Sequence, residues 1–267
     1  MLRGFYTVAS GMIAQQRYQE ALSNNIANAN TPGYKADRAT FRAFPEMLMH
    51  EINAKQLPVK HGMKVPTNRP IGSLNTGVYI QEYVPYFNQG DIRETGIDTD
   101  LALIQENVPD ENGSFFFAVQ NEAGDIRLTR NGNFTVDGEG YLVTTKGYYV
   151  LDNNQNRIFT DGLDFTVTPD GQIETDTQVS QLDIRYVADA HILEKEGNDL
   201  YVGPTDAIPA HAAYHIQQGF LEESNVNALQ TMTQMIEAYR MFETNQRVLK
   251  AYDESMGKAV NDIGRIG

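Results

Sequence analysis

The sequence predicts an α+β fold, with long N- and C-terminal helices pairing as a coiled-coil-like stalk around a central antiparallel β domain, a sandwich or a roll. Three observations carry that expectation. Apolar residues recur at helical spacing near both chain ends, β-type runs broken by Gly, Asn and Asp fill the middle, and charge is distributed to match. Residues 1–70 hold 9 basic and 4 acidic side chains, residues 71–215 hold 7 and 24, and residues 216–267 hold 5 and 7. The expected organisation is an N-terminal helical region over 1–41, a connector over 42–70, a β-rich domain over 71–215 and a C-terminal helical region over 216–267.

The first helix is expected from about Arg3 to Asn28, because Leu2, Phe5, Ala9, Met12, Leu22 and Ile26 repeat every three or four residues. Gln16 and Gln19 interrupt its apolar face. Thr31-Pro32-Gly33 ends it: proline disfavours helical geometry in the residue before it, and glycine admits the positive φ of a tight turn. Between 42 and 70, Pro58, Gly62, Pro66 and Pro70 follow a short apolar patch, which reads as a connector.

The middle reads as successive hairpins. Phe115–Val119 and Ile126–Thr129 flank Ala123-Gly124-Asp125, and Asn131-Gly132 signals a further turn before Phe134–Val136. Asp137-Gly-Glu-Gly140 precedes Tyr141–Val143, Tyr148–Leu151 follows, and Pro169-Asp170-Gly171 separates Val167 from Ile173. Leu182, Ile184 and Tyr186 alternate with Asp183 and Arg185, as in a strand with one buried face.

The last segment carries the clearest signal. Ser224 or Asn225 can cap a helix that runs to Ile263 without proline. Ala228, Met232, Met235, Tyr239, Phe242, Gln246, Leu249, Asp253, Met256, Val260 and Ile263 alternate between four- and three-residue steps, a heptad repeat. At about 1.5 Å per residue the helix is roughly 55 Å long. Burying each large apolar side chain is worth about 1.5–3 kcal/mol, so such a seam demands a partner: the other terminal helix and, beyond it, further copies of the chain.

Composition excludes several functions. A net charge of −14 is the wrong sign for nucleic acid, and the absence of cysteine excludes disulfides and thiolate metal sites. The longest uninterrupted apolar stretch, Phe115–Val119, falls far short of the roughly 20 residues that span a bilayer. His211 and His215 have helical spacing but lack the glutamate of a zinc motif. Asp152, Asn154 and Asn156 imitate a calcium loop, yet Arg157 and Leu163 stand where glycine and glutamate are required, so a turn is expected. No catalytic, cofactor or metal residues are assigned, and no enzyme is expected.

Two long runs carry a resemblance. Ser10-Gly-Met-Ile-Ala-Gln-Gln16 with Ser23-Asn-Asn-Ile-Ala-Asn-Ala-Asn-Thr-Pro-Gly-Tyr-Lys35 resembles the N-terminal signature of bacterial flagellar rod and hook proteins. Gln218-Gly-Phe-Leu-Glu-Glu-Ser-Asn-Val-Asn227, continuing through Met235–Arg240 and Phe242–Asn245, resembles their C-terminal signature. Gln89–Thr95, Asp100–Ile104 and Thr129–Phe134 match between them, and a single β domain between full-length ends is most similar to the distal rod type and its Gram-positive hook-basal-body paralogues. Two departures stand out: the acidic insertion Glu106–Ser114, and Thr231 where a glutamate is common.

The resemblance implies a structural subunit of the flagellar basal body that self-assembles into a helical homo-oligomer transmitting torque from motor to hook. It further implies neighbouring rod and hook proteins and the flagellar type III export apparatus as partners, and a place outside the cytoplasmic membrane reached without a cleaved signal peptide. The expected assembly residues are Leu2, Phe5, Ala9, Met12, Leu22 and Ile26 on the first helix, and Met232, Met235, Tyr239, Phe242, Leu249 and Met256 on the last. Asn24, Asn25, Asn28 and Asn30 join them, with hydrogen bonds across subunits and local capping both open. The alternative reading is a secreted cell-surface or peptidoglycan-binding module anchored by its helices.

Overall fold

The structure, a computed structural model, describes residues 2–56, 64–175 and 178–264. The chain divides into two compact units. One, here the helical unit, comprises residues 1–22, 39–83 and 233–267; the other, the β unit, comprises 23–38 and 84–232.

Helix α1 (Leu2–Ala27) and helix α2 (Ala228–Gly264) supply most of the helical unit. They pack against each other and run antiparallel. Gly4 meets Tyr252, Gly11 meets Asn245, and Tyr18, raised above the usual tyrosine range by burial and then by the Glu237 carboxylate, lies one further heptad along. The inner face of α2 carries Ala238, which is buried, and Met235, Phe242, Asn245, Leu249, Tyr252, Met256 and Ala259, all half-buried.

The seam therefore differs from the expected one at every second rung. Ala238, Asn245, Tyr252 and Ala259 replace Tyr239, Gln246, Asp253 and Val260. Gly4 and Gly11 of α1 face Tyr252 and Asn245 of α2, and a helix contact centred on glycines favours different partners from one centred on large apolar residues. Counting apolar residues alone selects the wrong rung. The side chains of Leu2 and Ile263 lie outside those described.

Strand β1 (Asp37–Ala43) pairs with β4 (Val78–Pro85). Residues 42–70, expected as a connector, instead contain most of a long antiparallel hairpin, β2 (Met47–Gln56) and β3 (Lys64–Leu74), with Met47 opposite Leu74 and Gln56 opposite Lys64. Pro66 and Pro70 sit within β3, a placement open to proline because this hairpin stands as a sheet of two strands, each with a free edge. Pro58 and Gly62 lie outside the described residues.

In the β unit, β5 (Ile92–Glu94), β6 (Leu101–Asn107), β7 (Ser114–Gln120), β8 (Ile126–Thr129), β9 (Phe134–Val136), β10 (Leu142–Thr144) and β11 (Tyr149–Val150) precede β12 (Thr166–Val167), β13 (Gln172–Glu174), β14 (Val179–Gln181) and β15 (Ile184–Val187). A 3-10 turn (Ala190–Ile192), β16 (Glu194–Glu196), β17 (Leu200–Val202), β18 (Ala213–Gln218) and β19 (Phe220–Glu222) follow. The main antiparallel sheet runs β16-β17-β8-β7-β11-β10-β9, with β15 also on β7; β12-β13-β14, β6-β18 and β5-β19 form smaller antiparallel sheets.

Strand β7 is the centre of this unit. Phe115 to Val119 are wholly buried, with alternate side chains serving two clusters. Phe115, Phe117 and Val119 join Leu101, Phe134, Leu142, Ile173 and Tyr186, while Phe116 packs with Leu128, Val187, Leu193 and Tyr201. The turns at Gly124, Gly140 and Gly171 form as expected, each glycine at positive φ. Asn131-Gly132 does not close a hairpin. Gly132 instead accepts from the Leu101 amide at 3.0 Å, and a side chain at 132 would fall on the Leu101 carbonyl. The cap of α2 is Asn227, whose side chain accepts from the Gln230 amide at 3.0 Å; Ser224 and Asn225 do not take that role, because Asn225 is committed elsewhere.

Candidate assembly surface and its anchor

Three of the resembling segments, far apart in the chain, meet inside the β unit. Lys35 ends the first, Arg130 lies in Thr129–Phe134, and Glu222 lies in Gln218–Asn227. All three are buried to within a percent or two of their surface. Lys35 Nζ donates to Glu222 Oε1 at 2.6 Å and to the Asn88 carbonyl at 2.7 Å. Arg130 donates to Glu222 Oε2 from Nη2 at 2.5 Å and from Nε at 3.0 Å, and reaches the Phe115 and Leu103 carbonyls at 2.8 and 2.9 Å. The Gly90 amide donates to Glu222 Oε1 at 2.9 Å, and the Gly33 amide to the Glu222 carbonyl at 2.8 Å.

One carboxylate thus faces two cations, leaving a surplus positive charge sealed from water. Burial pushes the Glu222 carboxyl up, but Arg130 and Lys35 and the hydrogen bonds from Lys35 and Gly90 outweigh it and hold it below the usual carboxylate range. Burial pushes Lys35 down to about 8 against the pull of Glu222, with Arg130 adding to the fall. Gly33 makes the approach possible: at φ +68°, a Cβ there would lie 2.5 Å from the Arg130 carbonyl oxygen. None of these three charged residues figured among the expected sites, since an isolated charge in a sequence reads as solvated surface. The available signal was a lone cation in Ser23–Lys35 and in Thr129–Phe134, and a pair of adjacent glutamates, Glu222 and Glu223, in Gln218–Asn227.

The asparagines near the end of α1 engage the same segment. Asn25, buried, grips the backbone of Asp37 in both directions, donating to its carbonyl and accepting from its amide, each at 2.9 Å. The Tyr34 hydroxyl lies 2.9 Å from Asn24 Oδ1 and 3.1 Å from Asn25 Oδ1. Asn28 donates to Asn24 and accepts from Asn198 at 3.1 Å. Asn225 completes the clamp, accepting from the Ala36 amide at 2.8 Å and donating to the Tyr86 carbonyl at 2.6 Å. Asn30 stays exposed, beside a recess of about 140 Å³ shared with Ala29, Pro32, Arg93 and Leu221.

The other expected assembly residues fall into two sets. Phe5, Ala9, Met12, Ile26, Met235, Phe242, Leu249 and Met256 are half-buried and Leu22 is buried, all committed within the chain to that extent. Met232 and Tyr239 are exposed, and Leu229 and Ile236 extend them into one stripe along α2 at steps of three and four. In the helical unit itself, Tyr6, Ile13, Met47, Leu48, Ile71, Met241 and Val260 are further large apolar side chains in water. An apolar recess of about 80 Å³ lies between α1 and β1/β4, lined by Ile13, Ala14, Phe44, Val78 and Ile80. Among the described residues of this unit these side chains are left in water.

The Asp152 side chain accepts from the Asn154 and Asn156 amides at 2.9 and 2.7 Å, the turn expected there. His215 lies on β18 with Nδ1 2.9 Å from Glu106 Oε1, so the two histidines share no helix face. Among the described residues no group of histidine and acidic side chains has the arrangement to hold a metal ion, and no helix is long and apolar enough to cross a membrane.

Comparison with known proteins covers the same segments. Residues 5–35 match the family described as "Flagella basal body rod protein", 112–175 match "Flagellar hook protein FlgE/F/G D1 domain", and 217–262 match "Flagellar basal body rod FlgEFG protein C-terminal". The chain is similar to the flagellar hook-basal body complex protein FlhO of Bacillus subtilis, 44% identical over the full length of both. It is 32% identical to the flagellar basal-body rod protein FlgG of Agrobacterium fabrum, covering 95% of this chain and 96% of that one, and 32% identical to FlgF of Caulobacter vibrioides over the whole of both.

Proposed function

The chain belongs to the flagellar basal-body rod FlgEFG family of structural, non-enzymatic proteins, and from that premise we propose that it is an axial subunit of the distal rod type that polymerises through its terminal helices. The polymer is a tube that carries torque from motor to hook, built outside the cytoplasmic membrane from chains exported by the flagellar type III apparatus without signal cleavage. Its neighbours are other rod and hook proteins. The carrying observation is the stripe Met232, Ile236 and Tyr239, apolar and exposed on a helix whose inner face is already occupied by α1.

Helices in a tube must touch neighbours on more than one side, and a subunit with a single apolar face would stop at its own helix pair. The β unit, with its core closed, supplies mass and stiffness to the polymer. The double substitution Met232→Asp with Tyr239→Asp should abolish rod assembly and motility while the purified chain stays folded; normal motility would overturn the reading. Imaging flagellar stubs in a deletion strain places the subunit along the axis, since the structure ends where the missing segment begins.

A further inference from the structure

The two units carry opposite charge. The helical unit holds 12 basic and 9 acidic side chains, net +3, and the β unit holds 9 and 26, net −17. All nine of the β unit's cations are already counted in that net charge, and each is engaged by a carboxylate or an aromatic ring. Lys35 and Arg130 are spent on Glu222, Arg93 on Glu223, Arg127 on Asp125 and Glu196, Lys146 on Asp199, Arg185 on Asp183 and Lys195 on Asp37, all within the same unit. Arg38 and Arg157 lie over the Tyr86 and Tyr149 rings. Glu94, Asp98, Glu122, Glu139, Asp164 and Asp170 are exposed, and among the described residues their carboxylates have no partner.

We propose that the acidic surface of the β unit is an electrostatic brake on self-association, released by cations from solution. The inference rests on the self-assembling reading above. Each copy that joins an assembly adds a β unit of net charge −17, and like charge on that scale opposes compaction. The field of such a surface reaches about 30 Å at 0.01 M salt but only about 8 Å at physiological salt. Apolar contact at α2 therefore suffices for growth only where the counter-ion supply is ample. Divalent cations release the brake more effectively than monovalent ones at equal ionic strength, because each compensates two carboxylates.

The test measures, by sedimentation, the lowest concentration at which the purified full-length chain associates, in low and moderate sodium chloride and in magnesium chloride of matched ionic strength. That threshold should fall by about ten-fold or more as the screening length shortens. Salt also strengthens apolar association, so the deciding arm is a charge-reduced chain at low salt. Glu94→Gln, Asp98→Asn, Glu122→Gln, Glu139→Gln, Asp164→Asn and Asp170→Asn together bring the β unit from −17 to −11 and should move the low-salt threshold most of the way to its moderate-salt value. The triple variant Glu122→Gln, Asp164→Asn and Asp170→Asn should give an intermediate threshold, which serves if the sixfold chain folds poorly. A threshold in the variants equal to wild type at low salt, or one that rises with salt, overturns the brake. A wild-type chain that fails to associate at any salt overturns the self-assembly reading instead.

Discussion

The β unit and the helical unit solve the same problem in opposite ways. In the first, Phe115 to Val119 are shut from water and even a lysine, an arginine and a glutamate are sealed in with their partners. In the second, Ile236 and Tyr239 are each 54% exposed and Val260 71%, on a helix that uses one narrow face for its intramolecular contact. Burial of that kind is what a unit needs to fold alone, and exposure of that kind is what a unit needs to join others. The difference separates the part of the chain whose apolar core is closed from the part that leaves large apolar side chains in water.

The largest expected effect breaks the first side of this contrast. Glu222→Gln keeps the shape but leaves Lys35 and Arg130 buried without a counter-charge, and removing one partner of a buried pair costs about 3–5 kcal/mol. Urea unfolding followed by tyrosine fluorescence should show that loss, with helix pairing measured separately by far-UV circular dichroism. A loss below about 1 kcal/mol would mean that the charges reach water, which their burial denies.

Next in size is a pH dependence with a defined sign. Lys35 sits at about 8 in the folded chain and at an ordinary 10.5 when unfolded, so between those values the unfolded state binds more protons. Stability from this group should therefore rise from pH 8 to 10.5, by at most about 3 kcal/mol, as the surplus buried charge is discharged. Lys35→Met should flatten that rise. Glu222 acts in the acid range with its folded value depressed, so its contribution is present above the usual carboxylate pKa and is lost as pH falls through the folded one.

The smallest effect lies in the helical unit. At Gly11 a Cβ would sit 3.3 Å from Asn245 Nδ2, the movable end of an amide, so Gly11→Ala should gain about 0.5–1 kcal/mol from helix propensity. At Gly4 the added carbon would meet the Tyr252 ring, and Gly4→Ala should lose stability. Thermal melts of the two variants shifting in the same direction would show that the antiparallel register is wrong.

Both helices and the hairpins at Gly124, Gly140 and Gly171 were legible because local rules dictate them: a recurring apolar period in one case and a positive φ in the other. What was not legible depends on distant partners. The contact rungs of α2 are set by small residues on α1, the cap falls to Asn227 because Asn225 is held by Ala36 and Tyr86, and Asn131-Gly132 bends toward Leu101 rather than closing a hairpin. The hairpin of β2 and β3 was hidden by prolines that punctuate a run read as a connector. Of the expected assembly residues, sequence periodicity could name the apolar positions but not divide them between the inner face of the helix pair and the stripe left in water.

The meeting of residues 35, 130 and 222 also imposes an order in time. Synthesis runs from the N-terminal side, so Lys35 and Arg130 wait, unmatched, until the stretch bearing Glu222 has emerged. A truncated product ending between residues 130 and 222 keeps two stranded cations at the heart of its β unit. Such a fragment cannot settle into the finished shape, so closure of this core waits for the last of its three charged segments.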